Sequence, residues 1–155
     1  MLTKMDLSQQ INEDIKQAML AKDKRKLEAL RAIKAALLIL KTGKDIGTAE
    51  IPKELELKTL QRLIKQRKES SNIYKEQGRS DLFEEEIYQA RIIEAYLPQQ
   101  LSEEEIREGV KEIIAVTGAS SAKDMGKVMG ASAKKFAGKA DNKIISSIVK
   151  EILGA

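Results

Sequence analysis

The chain has 155 residues and a formal net charge of +4, with 42% hydrophobic and only 3% aromatic residues. That length holds one domain or two small ones, around a core that has to be aliphatic. With no cysteine and no histidine, disulfides, thiol chemistry, an imidazole base and the commonest zinc ligand are all excluded.

Apolar residues recur at three- and four-residue spacing throughout, and nothing reads as a strand. Leu7, Ile11, Ile15 and Met19 form a first helical stripe, with Asp6 or Ser8 as its N-cap. Asp23 caps a second helix carrying Leu27, Leu30, Ile33, Leu37 and Leu40, with Gly43 placed to close it. Lys44 to Pro52, with Gly47 and Pro52, reads as a loop leading into the first turn of a third helix. That helix runs from Lys53 to Gln77, about 35 Å at 1.5 Å per residue, and ends at Gly78. After Ile64 it offers only Ile73 and Tyr74, so its second half should be partly exposed. Asp81, in an Asp-x-x-Glu box with Glu84, caps a fourth helix with Phe83, Ile87, Ala90, Ile93 and Leu97.

"YLPQQLSEEE" marks the main boundary, because Pro98 pushes Leu97 out of helical geometry. Ser102 and Glu105 form a capping box opening a helix with Ile106, Val110, Ile113 and Ile114, closed by Gly118. Ser121 caps the next, Ala122 to about Phe136, expected to bury Met125, Val128, Met129 and Phe136. Asp141 caps the last, with Ile144, Ile145, Ile148, Val149 and Ile152 inward. The expected fold is all-α: an N-terminal four-helix bundle over 1–98 and a small C-terminal three-helix bundle over 99–155. A unit as small as the second is marginal and should lean on the first or on a ligand.

The segment "KDMGKVMGASAKKFAGKADNK" carries glycines and lysines in a pattern that invites a phosphate-loop reading. Spacing rejects it: Gly130 and Gly138 are too far apart, Ala140 stands where a hydroxyl is needed, and no strand precedes. Close helix packing accounts for Gly126 and Gly130, a helix end for Gly138, and an N-cap for Asp141. The charge is left over. Lys123, Lys127, Lys134, Lys135, Lys139, Lys143 and Lys150 face only Asp124 and Asp141 before Glu151. Several gather where one helix ends and another begins, a corner suited to phosphate oxygens, with the new helix's amides adding to it. "QRLIKQRK" and "KDKRK" are further basic stretches. Aromatic platforms for bases are scarce, so an RNA target would be read by shape and backbone. Ser120, Ser121 and Lys123 do not make a catalytic dyad, since that lysine lies on a charged face and keeps its proton. The runs Glu84–Glu86 and Glu103–Glu105 suit first turns of helices better than a metal.

The strings "RKESSNIYKEQGRSDL", "EAYLPQQLSEEEI", "TGASSAKDMGKVMG" and "GKADNKIISSIVKEIL" resemble the YqeY family along essentially the whole chain. The C-terminal part is also similar to the tail domain of the B subunit of glutamyl/aspartyl-tRNA amidotransferase. The resemblance implies two helical bundles and tRNA as partner, with contacts at Lys123, Gly126, Lys127, Gly130, Lys134, Lys135, Gly138, Lys139 and Asp141; Lys143 joins them from the charge pattern. Many relatives have glycine where this chain has Asn142, and a proline near Lys134.

The family is often labelled a carbon–nitrogen ligase with glutamine as amido donor. That label comes through the shared tail, whereas the amidotransferase's catalytic parts lie in segments this chain does not have. The expectation is an accessory protein that binds tRNA, with no catalytic residue, cofactor or metal of its own. A component of glutamine-dependent tRNA transamidation and a protein–protein adaptor are the alternatives, and amidotransferase or other translation proteins are further candidate partners. Neither DNA nor membrane contact is expected. The longest apolar run, Ala35 to Leu40, is far short of the roughly 20 residues a bilayer needs. The N-terminus lacks the apolar stretch of a signal peptide, so the expected compartment is the cytoplasm.

Overall fold

The computed structural model describes residues 6–42 and 51–154. The expected Gly43 closure and most of the loop after it lie outside these. The chain divides into two compact units between Leu97 and Pro98. Among the described residues all regular structure is helical: α1 (Leu7–Leu20), α2 (Lys24–Thr42), α3 (Lys53–Glu76) and α4 (Ser80–Glu94) in the first unit, and α5 (Glu103–Thr117), α6 (Met125–Lys135) and α7 (Asn142–Leu153) in the second.

In the first unit α2 packs against α1, α4 and α3, while α3 and α4 form the most extensive pair. The core is aliphatic, built on Ile11, Leu30, Ile33, Leu37, Leu60, Ile64, Ala90 and Ile93. α1 opens on a capping box: the Gln9 amide donates to Asp6 Oδ1 (2.7 Å) and the Asp6 amide to Gln9 Oε1 (3.1 Å). It closes without glycine. Lys22 takes the left-handed conformation (φ 57°), and Asp23 donates its amide to the Ala18 carbonyl before heading α2. Met19, expected inside, is exposed, because it sits in the final turn of α1.

The α3–α4 turn corrects one expected cap. Gly78 (φ 70°) and Arg79 close α3 together, their amides donating to the Lys75 and Tyr74 carbonyls. The Arg79 carbonyl then accepts from Phe83, so α4 starts at once with Arg79 as its N-cap residue. Asp81 is thereby drawn into the first turn, where its carboxylate accepts two hydrogen bonds from the Arg79 guanidinium instead of capping. The apolar-poor second half of α3 is exposed at Ile73, as expected, yet it packs on α4 through small and polar groups. Ser71 is buried and donates to the Lys68 carbonyl, Arg67 donates to Gln89, and Lys68 pairs with Glu94.

The second unit folds around Ile106, Val110, Val128, Phe136, Ile145, Ile148 and Val149. Ser102 and Glu105 make their capping box and Gly118 closes α5 in the left-handed region. A 3₁₀ turn, Ala122–Asp124, precedes α6, which makes that helix shorter than its periodicity suggests. Met125 and Met129 are only half-buried, and Ile144 is exposed.

Candidate nucleic-acid interface

α6 presents two unlike faces. At about 100° per residue, Val128, Ser132 and the following Phe136 point into the core. Gly126, Lys127, Gly130 and Lys134 fall within roughly 100° of arc on the other side; all four are exposed, as is Lys123 in the preceding 3₁₀ turn. A Cβ at Gly126 or at Gly130 would meet no atom within 4 Å beyond its own turn of helix. Packing against another helix is therefore not what these glycines are for. They leave a strip of bare helix backbone open to solvent, with lysines along its edge. Among the described residues, Lys123, Lys127 and Lys134 have no carboxylate in ion-pair range. The carboxylate of Asp124 accepts from the amides of Ser120 (2.9 Å) and Ser121 (3.4 Å) at the surface.

Lys135 points away from this face. Its Nζ donates to Glu112 on α5 at 2.7 Å, and that contact, first by hydrogen bond and then by charge, holds the Glu112 carboxyl below its usual range.

The turn after α6 is built from both sides. Gly138 is buried with φ 74°, a conformation that favours glycine. Its carbonyl accepts from Gln100 Nε2 (2.7 Å), and the Lys139 carbonyl accepts from the Leu101 amide (2.9 Å). Gln100 and Leu101 thus fix the corner that exposes Lys139, a role that spacing alone did not suggest. At the start of α7 the Asp141 carboxylate accepts from the Lys143 amide, and the Asp141 carbonyl accepts from Ile144 and Ile145. The amides of Lys143, Ile144 and Ile145 are therefore engaged within the helix start. Lys143 lines a groove of about 240 Å³ together with Glu103, Arg107, Asp141 and Glu151, a surface of mixed charge.

The family described as "Yqey-like protein" matches residues 8–153. The chain belongs to the YqeY-like family. It is 32% identical over 150 residues to "Altered inheritance of mitochondria protein 41, mitochondrial" of Pyrenophora tritici-repentis, covering 94% of this chain and 80% of that protein. The protein of the same name from Clavispora lusitaniae is 35% identical over 97 residues, 61% of this chain and 55% of its own length.

In this YqeY-like chain the cations of α6 are offset by an acidic flank. Glu104, Glu105, Glu108 and Glu112 of α5, with Leu101, Gly109, Lys135 and Phe136, line a groove of about 540 Å³. That side of α5 is locally acidic, in contrast to the exposed lysines of α6. The other basic stretches are partly used within the first unit. Arg25 pairs with Glu85 (2.9 Å) and lies 4.0 Å from the centre of the Tyr88 ring. Among the described residues no cluster of acidic side chains is arranged to hold a metal, and no helix is long and apolar enough to cross a membrane.

Proposed function

We propose that this YqeY-like protein is an accessory factor that docks on tRNA through the α6 face and the Gly138–Lys139 corner, holding the RNA without making or breaking a bond. The observation that carries this reading is the pairing of exposed, unopposed lysines with an uncovered glycine strip on one helix face. Helix glycines in the open cost stability, and uncompensated lysines side by side add to that cost. Both features suit a ribose-phosphate backbone, which needs close approach and cations but no base-specific groups. The likeness of the C-terminal strings to the amidotransferase tail domain points to tRNA among RNAs. The compartment that goes with this function is one that holds tRNA, the cytoplasm for this chain; the two fungal relatives carry "mitochondrial" in their names.

The test is titration of the full chain with a tRNA transcript at several salt concentrations. Micromolar or tighter binding that weakens steeply with salt is expected; absence of binding at low salt contradicts the reading. Glutamine-dependent conversion of Glu-tRNA by the purified chain would replace it with the ligase alternative.

A further inference from the structure

We infer that the outer face of α3 is a second contact surface for the phosphate backbone of the same RNA, an inference that rests on the RNA-binding reading above. From Leu57 to Lys68 the chain has no acidic residue and carries Lys58, Arg62, Lys65, Arg67 and Lys68. The fold splits these cations into two groups. Arg67 and Lys68 turn to α4: Arg67 Nε donates to Gln89 Oε1 (3.0 Å) and Nη1 to the Leu63 carbonyl (3.2 Å), and Lys68 pairs with Glu94 (2.9 Å). They hold the helix pair together.

Lys58, Arg62 and Lys65 take no part in that seam. All three are exposed, while Thr59, Leu60, Leu63 and Ile64 between them are buried. Their spacing of four and then three residues puts them on one stripe, about 10 Å long. Neighbouring like charges at that spacing destabilise a helix, and no carboxylate lies in ion-pair range of any of them among the described residues. Glu54 and Glu69, one turn beyond either end, are spaced to pair with Lys58 and Lys65 but, among the described residues, form no ion pair. They bound the stripe and limit it to one or two phosphates. A guanidinium between two ammonium groups meets phosphate oxygens in a forked geometry. The stripe offers no aromatic platform, so its contribution is attachment and not base reading.

The experiment uses the full chain and the same tRNA transcript. Glutamine at Lys58, Arg62 and Lys65 removes the charge and keeps helix propensity. The expected result is a one-to-one complex that is at least about tenfold weaker at low salt, with the plot of log affinity against log salt shallower by about two. Restoring Arg62 alone as lysine should recover part of that slope. An unchanged affinity and slope, in a setting where glutamine at Lys127, Lys134 and Lys139 does weaken binding, overturns the α3 surface and leaves the first reading intact. Two tRNA molecules per chain would also overturn it. If the unaltered chain binds no tRNA, the first reading fails and takes this one with it.

Discussion

At Gly109 a single added methyl would have nowhere to go. An ideal Cβ there falls 2.4 Å from Phe136 Cζ and 2.8 Å from Cε1, and the ring is itself buried at 3% exposure. Gly109→Ala should therefore destabilise the protein by roughly 1–3 kcal/mol through overpacking, read as a lower denaturant midpoint. Periodicity gave no sign of this, since a lone glycine in a helical pattern does not announce the ring that lies on it. Gly126 and Gly130 show the converse: their spacing suggested packing, and both face solvent. A pattern of residues gives the period of a helix but not the partner on each face. Capping was far more legible, because its hydrogen bonds are local: Ser102 and Asp141 cap where the sequence placed them, and of the two candidates for α1 it is Asp6 that caps. Asp81 does not cap, because α4 already starts at Arg79, whose guanidinium takes its carboxylate, and Ser121 heads a 3₁₀ turn and not α6 itself.

Tyr96 gives a pH signature at the same scale. Its phenol, half-buried and donating to Asp14, is held well above the ordinary tyrosine range, first by burial and then by that hydrogen bond. A raised folded-state pKa stabilises the fold below the unfolded value of about 10 and loses that contribution as pH rises beyond it. Absorbance titration of the folded protein should show one phenol ionising late, and Tyr96→Phe should remove that phase and flatten the loss of stability above pH 10. A titration curve left unchanged by Tyr96→Phe would contradict this assignment.

For the elements, α6 carries the sharpest contrast between stability and function. Alanine at Gly126 and Gly130 has space and better helix propensity, so each change should add up to about 1 kcal/mol of stability. If the bare strip admits an RNA backbone, the same double variant should bind tRNA more weakly despite being more stable. A variant that gains stability and binds as well as before would reduce these glycines to an accident of the sequence. α3 and α4 show why the thin second half of a long helix still folds. Ser71, Arg67 and Gln89 replace the missing aliphatic contacts with a small side chain and satisfied polar groups. No apolar period encodes that seam, so composition pointed only to exposure there.

Across the whole molecule, the two aliphatic cores and their helices follow from hydrophobic period, proline and caps, and the sequence shows them readily. The charge distribution does not follow so directly. The sequence counts the lysines of the C-terminal segment, but folding sorts them. Lys135 goes to Glu112 and Lys143 to a mixed groove, while Lys123, Lys127, Lys134, Lys139 and Lys150 are exposed and, among the described residues, have no acid partner. The same sorting on α3 leaves Lys58, Arg62 and Lys65 outside. A modest net charge of +4 thus conceals locally basic surfaces within each unit and, within the second, an acidic flank on α5.

The most direct measurement is tRNA affinity as a function of salt for the full chain and for Lys127→Gln/Lys134→Gln/Lys139→Gln. The account predicts that the unaltered chain binds and that the triple variant is weakened, with a salt slope shallower by about three and helical content unchanged. Equal affinity and equal slope for the two proteins would contradict it.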